Sequence, residues 1–427
     1  MTPAEPSSRA ALLVGAAIVL TGLNLRTAVS SVGPVLEEIE AGLGLSSGAA
    51  GLLTTLPVIC FALLGFAGPP LSARFRDSRV LAGGLLAMAL GLVVRSVAVE
   101  PVLFFAGTVV AMSGGALGNV LLPSLVKRWF PERTGLVVGA YGVTLGLGAA
   151  VAAAVPQQIV SAVGSGGWRW ALGIWAALAA VSALPWLGVP GRPGASRATH
   201  VRVSMRVLAR SRLAWALAVF FGAQAMQAYV VLGWSAQYLR DSGVSAADAG
   251  WLLSLNTLLT IVVNGVVPAL AVQQRWQRPV LAASVTAYAL GWVGLWVAPT
   301  TLPLLWMVIL AVGLGSFPLA LTLFGLRAAT PESTAALSTF AQGVGYLIAG
   351  AGPLLVGLLR GASGDYTGMF VVVLTGVAVL AGTGWVVTRA RVIEDDVPSP
   401  ATTEDVVPDA GEAAIAVREP GGGSRRG

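Results

Sequence analysis

The chain is 427 residues long, 56% hydrophobic and only 11% charged, against roughly a quarter charged in a soluble domain. That balance excludes a water-soluble enzyme or binding module and makes the chain an integral membrane protein. The formal charge of +7 is scattered as arginines between apolar runs, without the basic stripe a nucleic-acid surface needs, so it reads as membrane topology.

A membrane helix needs about 20 mostly apolar residues, a requirement met twelve times along the chain. The first run, 11–36, is too long for a cleaved leader and many like it follow, so it is the first span. It contains "TGLNLRTAVSSVGP" (21–34), with Arg26 close to its middle. An arginine there costs roughly 3 kcal/mol and is usually retained for a function. Asn24, two residues away, supports the helix or lines the edge of a cavity. The next spans are 48–70, 80–98, 101–125, 135–160 and 168–188. Span two holds the single cysteine, Cys60, and span five holds Gly139, Gly142, Gly146 and Gly148, read as close-packing positions. The polar, basic segment that follows contains the single histidine, His200. With one Cys and one His there is neither a disulfide framework nor a metal cluster, and no phosphate-binding loop motif occurs. No cofactor is expected.

Spans seven to twelve fall at 213–238, 247–271, 279–298, 302–326, 333–358 and 366–388. In span seven Gln224, Gln227, Trp234 and Tyr238 recur at i, i+3, i+10 and i+14, read as one helical face with Tyr229 nearby. Asn256 and Asn264 lie two turns apart in span eight, and Gln342 and Tyr346 form an i, i+4 pair in span eleven. Each of these polar groups serves either as interhelical glue or as a substrate contact. The segment after Arg391 is rich in Pro, Gly and acid and reads as disordered.

Eighteen Lys and Arg fall on the side shared by the N-terminus and the central linker, against Arg95, Arg169, Arg240 and Arg360 opposite, where "EEIE" (37–40) also lies. Both termini are therefore expected in the cytoplasm. The halves repeat each other: "GLSSGAAGLL" (44–53) matches "GVSAADAGWL" (243–252), and "PERT" (131–134) matches "PEST" (331–334), at offsets of 199 and 200. Six spans per repeat give parallel halves with a substrate site between them near the midplane. The expected domains are an N-terminal bundle (1–190), a linker (191–212), a C-terminal bundle (213–390) and a cytoplasmic tail (391–427).

The loop "PLSARFRDSRVL" (70–81), "KRWFPERTGLVVGAYG" (127–142) and "GWRWALGIWA" (167–176) resemble the signatures of the major facilitator superfamily. The first loop departs from the pattern, with Ala73 in place of the usual aspartate and Arg76 in place of glycine, while Arg74 and Arg79 match. More narrowly, "NLRTAVSSVGPVLEEI" and "GLLTTLPVICFALLG" (51–65) resemble the cyanate and 2-nitroimidazole transporter family. The resemblance implies twelve helices in the major facilitator fold and transport of a small anionic or polar solute.

None of the 19 acidic residues falls in a span core. Arg26 must therefore be balanced by carbonyls, amides, water or a ligand. It either faces the cavity and binds an anionic or strongly dipolar substrate, with its planar fork of donors suited to a carboxylate, nitro group or linear anion, or it plays a structural or snorkelled role. The expected binding set is Arg26, Asn24, Gln224, Gln227, Tyr229, Trp234, Asn256, Gln342 and Tyr346. The partners expected are a small-molecule substrate and the lipid bilayer, with the protein a monomer. A proton-coupled efflux pump of the same fold is the alternative; it lacks the carboxylate or histidine that proton relays use. No Ser, His and Asp set can be assembled from one linker histidine, so an enzyme is not expected.

Overall fold

The computed structural model describes residues 8–189 and 208–396. His200, most of the expected linker and the tail from 397 onward lie outside the described residues, as do the side chains of 64–74 in the signature loop. Every regular element among the described residues is helical. The first span comprises α1 (Ser8–Asn24), α2 (Thr27–Ser30) and, after a 3-10 turn at Gly33–Val35, α3 (Leu36–Leu43). Five single-helix spans follow: α4 (Ser47–Arg74), α5 (Asp77–Val97), α6 (Pro101–Trp129), α7 (Thr134–Val163) and α8 (Gly167–Gly188). The second half contains α9 (Arg212–Asp241), α10 (Ala246–Ala271), α11 (Gln274–Val297), the pair α12 (Pro303–Gly313) and α13 (Ser316–Leu326), α14 (Pro331–Ser363) and α15 (Thr367–Val387). Among the described residues eleven segments are long and apolar enough to cross a membrane, and the described side chains of α4 form an apolar helix over Ser47–Leu63.

Two spans read as continuous are broken. In the tenth, Pro318 has no N–H to offer the Leu314 carbonyl; the Phe317 N–H takes it instead, and the helix restarts after Leu314 and Gly315. In the first, the helix stops after Asn24, restarts at Thr27 and tightens again before Pro34. That span also runs on to Leu43, past the expected end at 36.

The sequence repeats have a structural basis. Gly44 and Gly243 both adopt positive φ, 63° and 103°, the region glycine enters without a Cβ penalty. Two residues on, Ser46 and Ser245 accept hydrogen bonds from the N–H groups of Ala49 and Asp248, equivalent N-caps on α4 and α10.

The halves meet along α4 with α14 and α7 with α10. At the first contact Gly51 and Gly357 bring two backbones together, since a Cβ on either would strike the other helix's main chain, and Thr55 donates to the Gly350 carbonyl at 3.0 Å. At the second, Gly250 lies against the Ala153 carbonyl and Gly146 against Ile261. Of the other span-five glycines, Gly148 abuts the Leu23 carbonyl, whereas Gly139 and Gly142 have open space where a Cβ would be. Trp168, Trp186, Trp234 and Trp292 are fully buried and fill the bundle interiors.

Three readings change. Arg95 and Arg327, counted with the loops, are 0% and 3% exposed and bond to backbone and neutral side chains. The tail expected from 391 is packed over its first residues: Ile393 is buried, its N–H donates to the Arg327 carbonyl, and the Asp396 carboxylate accepts from Ser211 and the Leu213 N–H at the start of α9.

Candidate functional site

Breaking a helix frees backbone carbonyls that must find other donors. In the first span the Asn24 carbonyl accepts from the Thr27 hydroxyl at 2.8 Å. Val32 bonds to Val29 in a 3-10 pattern, which leaves the Ala28 carbonyl to Nη1 of Arg95, at 3.0 Å. Arg26 sits at the first break as the residue preceding α2. Its guanidinium is partly buried and makes no hydrogen bond or ion pair with any described residue. Tyr229 and Tyr346 line the same cavity as Arg26.

Arg26 lines a cavity of about 120 Å³ between the halves. Its walls come from α7 (Gly142, Gly146), α9 (Phe221, Gln224, Tyr229), α10 (Asn256, Thr257, Thr260, Asn264), the broken tenth span (Leu314, Phe317) and α14 (Tyr346). Arg26 is the one charged side chain among the lining residues. Gln224 is fully buried and both amide atoms lack partners. Phe221 packs edge-on to Tyr346, ring centres 5.1 Å apart, and against Phe317. The cavity thus offers a positive fork, an amide with a free donor and a free acceptor, and an aromatic wall.

The structure brings together Arg26, Gln224, Tyr229, Asn256 and Tyr346 from the expected set, with Asn256 also donating to the Met307 carbonyl at 2.7 Å. The others are not cavity-lining. Asn24 points toward α8 and bonds to Ser182. Gln227 is spent on the Val373 carbonyl and the Trp292 indole, Trp234 on the Pro353 carbonyl, and Gln342 on Ser338. Tyr238 donates to the Leu295 carbonyl. At about 100° per residue, Gln227, Trp234 and Tyr238 lie roughly 40–80° to one side of Gln224, and Tyr229 roughly 140° to the other. That offset decides which residues bond to α11, α14 and α15 and which face the cavity. Sequence reading missed Thr257 and Thr260, although with Asn256 and Asn264 they form a polar cluster in an apolar span. Phe221 and Phe317 carried no signal distinct from core aromatics.

At the end bearing residues 37–40, charged groups tie the halves together. Arg240 at the end of α9 grips Glu38 with both terminal nitrogens at 2.9 Å, reaches Glu37 at 2.8 Å and donates to the Pro34 carbonyl. Gln157 of α7 donates to the same Pro34 carbonyl and to Glu38. Arg360 of α14 pairs with Glu40 and Asp241, and Tyr366 donates to Asp241.

Two helical halves around a central cavity, pinned shut at one end, define a membrane transporter of solutes. The family comparison agrees: the Major Facilitator Superfamily model matches residues 14–353, and the chain belongs to that superfamily. It is 35% identical to the 2-nitroimidazole transporter of Escherichia coli (strain K12) over 382 residues, 89% of this chain and 95% of that protein. It is 33% identical to the cyanate transport protein CynX of the same organism over 350 residues, 82% and 90% of the two chains. Among solved structures, an inward-facing, unoccupied bacterial homolog of the human lysosomal transporter Spinster superposes with a TM-score of 0.74, at 16% identity, covering 92% of this chain and all of that one. The protein is a multi-pass membrane transporter and not an enzyme.

Proposed function

We propose that this transporter moves a small, flat, anionic or strongly dipolar solute of the cyanate or nitroimidazole kind, held between the halves by Arg26. The observation that carries this reading is the Arg26 guanidinium, which faces a membrane-embedded cavity with no ion pair or hydrogen bond to any described residue. A partly buried cation without an anion is costly, and a substrate anion removes that cost during each cycle. Gln224 supplies the second contact, because its unpaired amide gains both a donor and an acceptor interaction only with a bound ligand. Asn256, Tyr229 and Tyr346 complete the wall.

The end bearing Glu37–Glu40 is the outer one, supported by the excess of Lys and Arg at the opposite end. Its ion pairs and the Gly51–Gly357 contact hold it closed, so the described state receives substrate from the cytoplasm. In this reading the protein works as a monomer in the plasma membrane. Residues 1–190 and 213–390 rock as units about the site, joined by a linker at 191–212, with residues 391–396 packed against the second unit. The chain's similarity to a 2-nitroimidazole transporter and a cyanate transport protein supports the solute class. The proton-driven efflux alternative is disfavoured because no carboxylate or histidine lines the cavity.

A thermal-shift series on the purified protein with cyanate, 2-nitroimidazole and small carboxylates tests the assignment, since a ligand that binds only the folded state raises its apparent stability. At least one of these should stabilise the wild type and fail to stabilise Arg26→Ala. A ligand that stabilises both equally would remove Arg26 from the site.

A further inference from the structure

Arg95 is a fully buried charge with no carboxylate partner among the described residues. Nη1 donates to the Ala28 carbonyl at 3.0 Å, Nη2 to the Ser31 hydroxyl at 3.3 Å, and Nε has no partner. Both acceptors belong to the broken part of the first span. The Ala28 carbonyl has lost its helical donor, because the Val32 N–H bonds to Val29. A neutral donor would satisfy one such carbonyl with less desolvation; a fork that grips two points three residues apart also fixes rotation.

The gripped piece starts at Arg26, whose carbonyl accepts from Val29 and Ser30 at 3.1 and 2.9 Å. Ala28 and Ser31 lie roughly 200° and 140° around the helix from Arg26, on the face away from it. Ala28 shares a buried cluster with Met88 and Leu92 of α5, and Arg95 itself does not line the cavity. We propose that Arg95 is a positioning residue: it holds α2 from behind in the one rotation that aims Arg26 into the cavity. Its part in substrate handling rests on the reading of Arg26 as the anchor.

The test needs no substrate, so its failure is distinct from failure of that reading, which the thermal-shift series reports. Full-length protein with Cys60→Ser and either Arg26→Cys or Thr257→Cys is labelled with a small methanethiosulfonate, with and without Arg95→Gln. Arg95→Gln should slow labelling at position 26 about tenfold and leave position 257 within about twofold, with Arg95→Lys intermediate because it keeps a charged donor but not the fork. An unchanged rate at 26, or equal changes at 26 and 257, would overturn the proposal. Should Arg95→Gln not insert, Ser31→Ala removes only the Nη2 contact and should slow position 26 selectively by about threefold; no selective change there would overturn it equally.

Discussion

Two glutamines one turn apart show how much a single helical face decides. Gln227 is satisfied at both ends by Val373 and Trp292, whereas Gln224 is buried with neither amide atom paired. An unsatisfied buried amide costs roughly 1–3 kcal/mol, and replacing it with an apolar group of similar shape can relieve that cost. Gln224→Leu should therefore raise the melting temperature of the ligand-free protein while weakening ligand binding. Gln227→Leu should lower the melting temperature, because it strands the Trp292 indole N–H. Thermal unfolding of both variants checks the contrast; two changes of the same sign would refute the division of roles. Arg26 was legible from sequence as a charge without a partner. Arg95 was not, because two residues from a helix end a buried arginine and a loop arginine look alike until the packing is known.

At the level of elements, the twelve spans and their repeat were legible because membrane helices announce themselves by length and the capping turns recur at one offset. The breaks in the first and tenth spans were not read: Pro318 marks the tenth, but a proline inside an apolar run is often absorbed without a break, and no proline stands at the Asn24–Thr27 interruption, Pro34 falling at the later 3-10 turn. The glycines divide further than composition allowed. Gly51 and Gly357 permit backbone contact between α4 and α14, while Gly139 faces open space. Gly357→Ala should push those helices apart and expose the cavity from the acidic end, so that an impermeant thiol reagent applied there labels Thr257→Cys several-fold faster. Gly139→Ala should leave that rate unchanged. Equal behaviour of the two would show that close approach at Gly357 does not hold this end closed.

For the whole molecule, the ion pairs of Arg240 and Arg360 join the first span to α9 and α14, so they must separate for the acidic end to open. Removing both, with Arg240→Ala and Arg360→Ala, should shift the population toward the state open at that end, seen as faster labelling of Thr257→Cys from that side. A slower rate would mean that these pairs do not favour the closed state. Energy coupling belongs to the same scale. Importing one negative charge against a negative interior costs about 2.3 kcal/mol per 100 mV, and the cavity carries no carboxylate or histidine to bring a proton with it. A pH gradient at zero voltage should therefore fail to concentrate a substrate whose charge is fixed across that pH range; robust acid-driven accumulation would assign the proton to a protein group. The central claim, that Arg26 holds the solute, is tested most directly by exchange in proteoliposomes at zero voltage. The assay uses labelled cyanate or 2-nitroimidazole, whichever stabilises the wild type. Arg26→Ala should insert normally and exchange at roughly a tenth of the wild-type rate or less, the factor expected for losing a charge-assisted contact, with Arg26→Lys between them. Wild-type exchange by Arg26→Ala would contradict the account.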